Sequence, residues 1–114
     1  MDETIEALSA EGFGVLTDVD VSATMAEKLD EDMAPYRVLG ACDPATASDA
    51  IGSEPELGAL LPCNVAIRET DDDTVVVSAV DPTALLSLPE NPDLETTVDD
   101  VDTRIERVME RLAA

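Results

Sequence analysis

Six aliphatic residues near the end of the chain, Leu94, Val98, Val101, Ile105, Val108 and Leu112, recur at alternating steps of four and three. Only a helix brings such a series to one side, and it leaves a charged remainder for solvent. Asn91 caps this helix and Pro92 starts it. Acids crowd its first turns and Arg104, Arg107 and Arg111 its last, as the helix dipole prefers. A stripe of this kind cannot stay in water, so the rest of the chain must supply an apolar face to receive it.

That face comes as strands. "GFGVLTDVD" sets Phe13, Val15, Thr17 and Val19 against Gly14, Leu16 and Asp18, and "YRVLGAC" sets Tyr36, Val38, Gly40 and Cys42 against Arg37, Leu39 and Ala41. After Pro62, suited to a strand's first position, Cys63, Val65 and Ile67 alternate with Asn64, Ala66 and Arg68. The acidic turn "TDDDT" then leads into "VVVSAV", so residues 63 to 80 read as a hairpin whose second strand is buried and apolar on both sides.

Further helices are expected at 2 to 11, between Asp2 as cap and Gly12 as left-handed stop, and at 21 to 32, with Val21, Met25 and Leu29 as its stripe. A third is expected at 44 to 54, with Asp43 as cap, Pro44 first and Ala47, Ala50 and Ile51 inward, and a short one around 83 to 88. The order α-β-α-β-α-β-β-α predicts an α+β fold, a small and mostly antiparallel sheet with helices packed on one face. The 114 residues fit a single domain, 1 to 114. The second face of "VVVSAV" needs a cover, and a homodimer is expected to provide it.

Twenty-seven carboxylates stand against six Lys and Arg, with no His, for a net charge of −21. That field repels phosphate backbones and anionic lipid heads, so no nucleic acid and no membrane is expected as a partner. It also opposes compaction over a screening length of about 10 Å at 0.1 M salt, which falls to about 3 Å at 1 M. The spread of acids through every segment, with Lys28 the only lysine, predicts the acidic surface of a protein from a salt-loving organism. No basic stretch precedes an apolar run, and no apolar run approaches the roughly 20 residues of a membrane helix, so a cytoplasmic location is expected.

Cys42 and Cys63 are the only cysteines. Their spacing makes no disulfide framework, and in a reducing cytosol they are expected as thiols. The chain has no Ser/His/Asp set, no phosphate-cradling glycine loop and no basic patch, so no catalytic residue and no cofactor is assigned. Zinc would want four ligands where two thiols are on offer, and no metal site is predicted. Soft Cu(I) tolerates two sulfurs, with Met33 or another Met as a third. Three readings of the pair stay open: small thiols packed in a sheet, a ligand or redox site, and a soft-metal pocket.

Asp43 and the net charge raise a thiol pKa, whereas the helix starting at Pro44 favours a thiolate at Cys42. Tyr36, on the Cys42 face, is a candidate hydrogen-bonding partner for the same site. Asn64, pointing opposite Cys63, is suited to satisfying loop backbone. The candidate ligand or redox residues are therefore Cys42, Cys63, Tyr36, Asp43 and Asn64. The aspartates at 71 to 73 read as a solvated turn, since the spaced ligands of a calcium loop are missing.

Four stretches, "EGFGVLTDVDV" at 11 to 21, "PYRVLGACDP" at 35 to 44, "ELGALLPCNVAI" at 56 to 67 and "VVVSAVDP" at 75 to 82, together resemble the family called domain of unknown function 302. The resemblance implies a small α+β fold with the saddle outline of the TATA-binding-protein sheet, often dimeric. It also implies that Gly12, Phe13, Tyr36, Gly40, Cys42, Pro44, Leu61, Pro62, Cys63 and Asn64 occupy motif positions. It implies no reaction. The chain departs from the family at Asp43, where Asn is usual. It departs again at the start, where members commonly carry a strand before the helix that here begins almost at Met1; without that strand a sheet edge would be left unpaired.

Overall fold

A computed structural model describes residues 2–59, 61–72, 74–86 and 91–113. In chain order the elements are α1 (Asp2–Ala10), β1 (Gly14–Asp20), α2 (Val21–Leu29), β2 (Tyr36–Cys42) and α3 (Pro44–Ser53). They continue as β3 (Cys63–Glu69), β4 (Val75–Ala79), α4 (Pro82–Leu86) and α5 (Glu95–Ala113), with 3-10 turns at Pro55–Ala59 and Pro92–Leu94. The strands form one antiparallel sheet in the order β1-β2-β3-β4. The α+β architecture expected from the sequence is present. Residues 87 and 88 of the expected short helix, and Asp73 of the acidic turn, lie outside the described residues.

Partners across an antiparallel ladder share a face. Leu39 lies opposite Val65, Ala41 opposite Cys63, and Ile67 opposite Val77, which gives the sheet a continuous apolar side. α1 and α5 cover that side: Ala7, Leu8, Val101, Ile105 and Val108 are buried against Phe13 and Leu39 in one cluster. A smaller cluster of Ala50, Leu57, Leu94 and Val98 seats α3 against the start of α5. Each such aliphatic contributes about 1.5–3 kcal/mol on leaving water. α1 ends as its sequence requires. Gly12, at φ +85°, lets the Gly12 amide donate to the Ser9 carbonyl and the Phe13 amide to the Leu8 carbonyl, which drops Phe13 beside Leu8 in the core.

Opposite α1 and α5 the sheet presents Thr17 and Val19 from β1, and Tyr36, Val38 and Gly40 from β2. β3 adds Asn64, Ala66 and Arg68, and β4 adds Val76 and Ser78. Gly40 is buried, because Thr17 Oγ1 and the ring of Pro62, whose peptide bond to Leu61 is cis, occupy the space a side chain would take.

Three local expectations are corrected. The alternation along β1 breaks between Val15 and Thr17, where a bulge leaves Val15 facing the core beside Ala41 and turns Thr17 to the other side beside Gly40. Leu16 is apolar as well, so nothing in the residue pattern marks the break. α2 starts where Asp20 caps it but stops at Leu29, closed by left-handed Asp30, and it buries no residue; Leu29 is 61% exposed. β4 is an edge strand with Val75 exposed and Val76 and Val77 half-buried, so it is not the fully buried strand its composition suggested. Among the described residues no helix is long and apolar enough to cross a membrane.

Candidate functional site

Because Ala41 pairs with Cys63, the Cys63 side chain joins the face under α1 and α5. Cys42 is the next residue along and the last of β2, where the chain turns into α3. Simple alternation would send the two thiols to opposite faces. At the strand end both instead line one cavity, walled by Phe13, Ala47, Ala50, Leu61 and Val101. Neither cysteine is in a disulfide. The cavity is half open and gives water centres about 30 Å³, room for on the order of two waters.

Both thiols are held in the neutral form. Burial pushes the Cys63 thiol above its ordinary value, and neighbouring Cys42 pushes it further. Cys42 is raised by burial first and by the Asp43 carboxylate second, and its S–H donates to the Asp43 carbonyl at 3.5 Å.

Asp43 has a structural task on each oxygen. Oδ1 caps α3 by accepting from the Ala45 amide at 3.1 Å, and Oδ2 accepts from Arg104 Nη1 at 2.9 Å. The guanidinium beside it is the first cause of a carboxyl pKa held below the usual range. Arg104 reaches this point from α5 with only 14% of its side chain exposed. Its Nη1 also donates to the Glu11 carbonyl at 3.0 Å, and its Nη2 to Asp100 Oδ2 at 2.9 Å and Thr46 Oγ1 at 3.3 Å. The guanidinium carbon lies 4.8 Å from the centre of the Phe13 ring. Arg104 thus ties α5, the α1–β1 turn and the start of α3 together beside the cavity.

The sequence reading missed Arg104. Arg37 and Arg68, the cations nearest the cysteines along the chain, belong to the far end of the strands, where Arg37 is paired with Asp18. A signal was available: residues 97, 101, 104 and 108 follow the same three-and-four spacing as the apolar stripe, so Arg104 sits on its seam.

Of the five candidates, Cys42, Asp43 and Cys63 are brought together and the other two are not. Tyr36 begins β2, about 20 Å of strand from Cys42, and lies in a separate depression with Pro35, Ile67 and Glu69. Asn64 is exposed; its backbone carbonyl accepts from Val80, and its side-chain amide makes no hydrogen bond among the described residues. Met33 precedes β2 and is 39% exposed, so it does not complete a sulfur set with Cys42 and Cys63. Among the described residues no three His, Cys, Asp or Glu converge as a metal site would need.

The family described as a domain of unknown function, DUF302, matches residues 1–112. Among solved structures, the crystal structure of an uncharacterized conserved DUF302 protein from Bacillus stearothermophilus superposes with a TM-score of 0.85 at 26% identity, covering 96% of this chain and 85% of that one. Among curated proteins none matches the chain.

Proposed function

The chain belongs to the DUF302 family, and from that premise we propose that it is a small, dimeric, cytoplasmic binding domain whose Cys42/Cys63 cavity takes one small soft ligand. The observation that carries this proposal is the joint placement of two neutral, unpaired thiols on a narrow apolar cavity beside which every nearby charge is already engaged. A nucleophile needs its thiolate, and burial of both thiols, with the Asp43 carboxylate beside Cys42, disfavours one. A binding site for an apolar molecule or a thiophilic metal ion such as Cu(I) needs only shape and sulfur, and two thiolates formed on metal binding would suit Cu(I). The narrow room for water-sized groups, about 30 Å³, favours an ion or a group of a few atoms over any larger cofactor.

Anaerobic titration with Cu(I) from a chelator complex, read by native mass spectrometry, tests the site. One ion per chain is expected for the wild type and none for Cys42→Ser or Cys63→Ser. Undiminished binding to either single variant would contradict a shared site.

A thiol redox role is the second reading, favoured by the facing of both free cysteines onto one cavity. In that chemistry the two thiols would give up two protons and two electrons to a hydroperoxide, forming a disulfide while the peroxide O–O bond is cleaved to alcohol and water. Loss of two mass units per chain on peroxide treatment, reversed by dithiothreitol, would support it; unchanged mass would remove it.

A further inference from the structure

Cys42 and Cys63 bring two sulfurs to one cavity, and among the described residues no set of three Cys, His, Asp or Glu converges as a metal site would need. The one charged residue on the wall is Asp43, and both of its oxygens are engaged, Oδ1 by the Ala45 amide and Oδ2 by Arg104. No Lys or Arg lines the cavity among the described residues. Arg104 stands outside it with its four terminal N–H bonds committed to Asp43, Glu11, Thr46 and Asp100. Its Nε is buried without a partner and is not on the wall. A ligand that adds charge to this cavity therefore finds no free cation to balance it.

Two sulfurs without a third donor suit two kinds of soft centre. Cu(I) takes them as thiolates, so two protons leave for one positive ion and the cavity gains one unit of negative charge. The Asp43 carboxylate opposes that gain. A trivalent metalloid hydroxide takes the same sulfurs with no change of charge. We infer that the soft ligand of the Cys42/Cys63 cavity is a neutral trivalent metalloid hydroxide, of which arsenous acid, As(OH)3, is the simplest. This rests on the binding reading above and names the class of its ligand. On binding, two As–O bonds break and two As–S bonds form; each thiol proton leaves with a hydroxide as water, and arsenic stays trivalent. Thiols are ordinarily protonated at pH 7, so both enter in the form this exchange uses. Room for on the order of two waters suits one arsenic with the single hydroxyl it keeps, and the open mouth gives that hydroxyl access to water.

The test is anaerobic equilibrium dialysis of the full, reduced chain in about 2 M KCl, against arsenite and separately against Cu(I) held by a chelator, with both elements counted by mass spectrometry. The wild type is expected to hold one arsenic per chain against excess glutathione, a monothiol. Cys42→Ser and Cys63→Ser are each expected to weaken it at least about 100-fold, the gain of two linked contacts over one. Asp43→Asn keeps an acceptor for the α3 cap and removes the opposing charge, so it is expected to shift the ratio of affinities toward Cu(I) at least about 5-fold. This variant decides the matter if circular dichroism shows that either serine variant fails to fold. Cu(I) bound with no arsenic overturns the ligand class and leaves the soft-ligand site standing. Neither bound overturns both. Undiminished arsenic on a folded serine variant, or an unmoved ratio in Asp43→Asn, also overturns the inference.

Discussion

Gly40 shows how much one residue decides. A β-carbon there would stand 2.6 Å from Pro62 Cγ and would also overlap Thr17 Oγ1. Gly40→Ala is therefore expected to cost about 1–3 kcal/mol, measured as a fall in denaturation midpoint with unchanged slope. Cys42 offers a second test, because the Asp43 carboxylate is the second cause of its raised pKa, after burial. Asp43→Asn keeps an N-cap acceptor and removes that charge, so alkylation of Cys42 at a fixed pH near 8 should speed up. For stability the sign follows from the thiols being neutral in the fold. Their contribution is complete below the ordinary value of 9.0 and is lost as pH climbs through the raised values, so the fold weakens in mild alkali. Cys42 and Cys63 were legible in the sequence as a pair, being the only two cysteines of the chain. Their shared cavity was not, because strand alternation separates them and only the turn of the chain into α3 reunites them.

Among the elements, α5 was the most legible and α2 the least. The stripe has the period of a helix whose face must be buried, and Val98, Val101, Ile105 and Val108 of α5 are all buried, as is Leu94 in the 3-10 turn at Pro92–Leu94 that precedes it. α2 has a stripe in steps of four over fewer turns, yet none of its residues is buried, and pattern alone cannot say how deeply a stripe is covered. The difference predicts unequal mutational costs. Leu29→Ser should change stability by less than about 0.5 kcal/mol, whereas Leu8→Ala should cost about 2–5 kcal/mol, both by urea titration. Arg104 connects elements that α5 alone would not hold. Arg104→Lys keeps the charge and loses the fork that reaches Asp43, Glu11, Thr46 and Asp100 at once, so a loss of about 2 kcal/mol is expected. A coupling energy near zero in a double-mutant cycle with Asp43→Asn would contradict the ion pair's role.

For the whole molecule, charge sets the conditions under which the rest holds. With a net −21, raising KCl from about 0.1 M to about 2 M should lift the thermal midpoint by about 4 °C or more, the equivalent of roughly 1 kcal/mol. The same screening sets the salt at which binding should be measured. Under those conditions timed alkylation of native protein, followed residue by residue with mass spectrometry, tests the shared neutral-thiol site most directly. Cys42 and Cys63 should both react slowly at pH 7 and faster only in alkali, and one equivalent of Cu(I) per chain should protect them together. Rapid modification of either thiol at pH 7, or protection of one without the other, would contradict it.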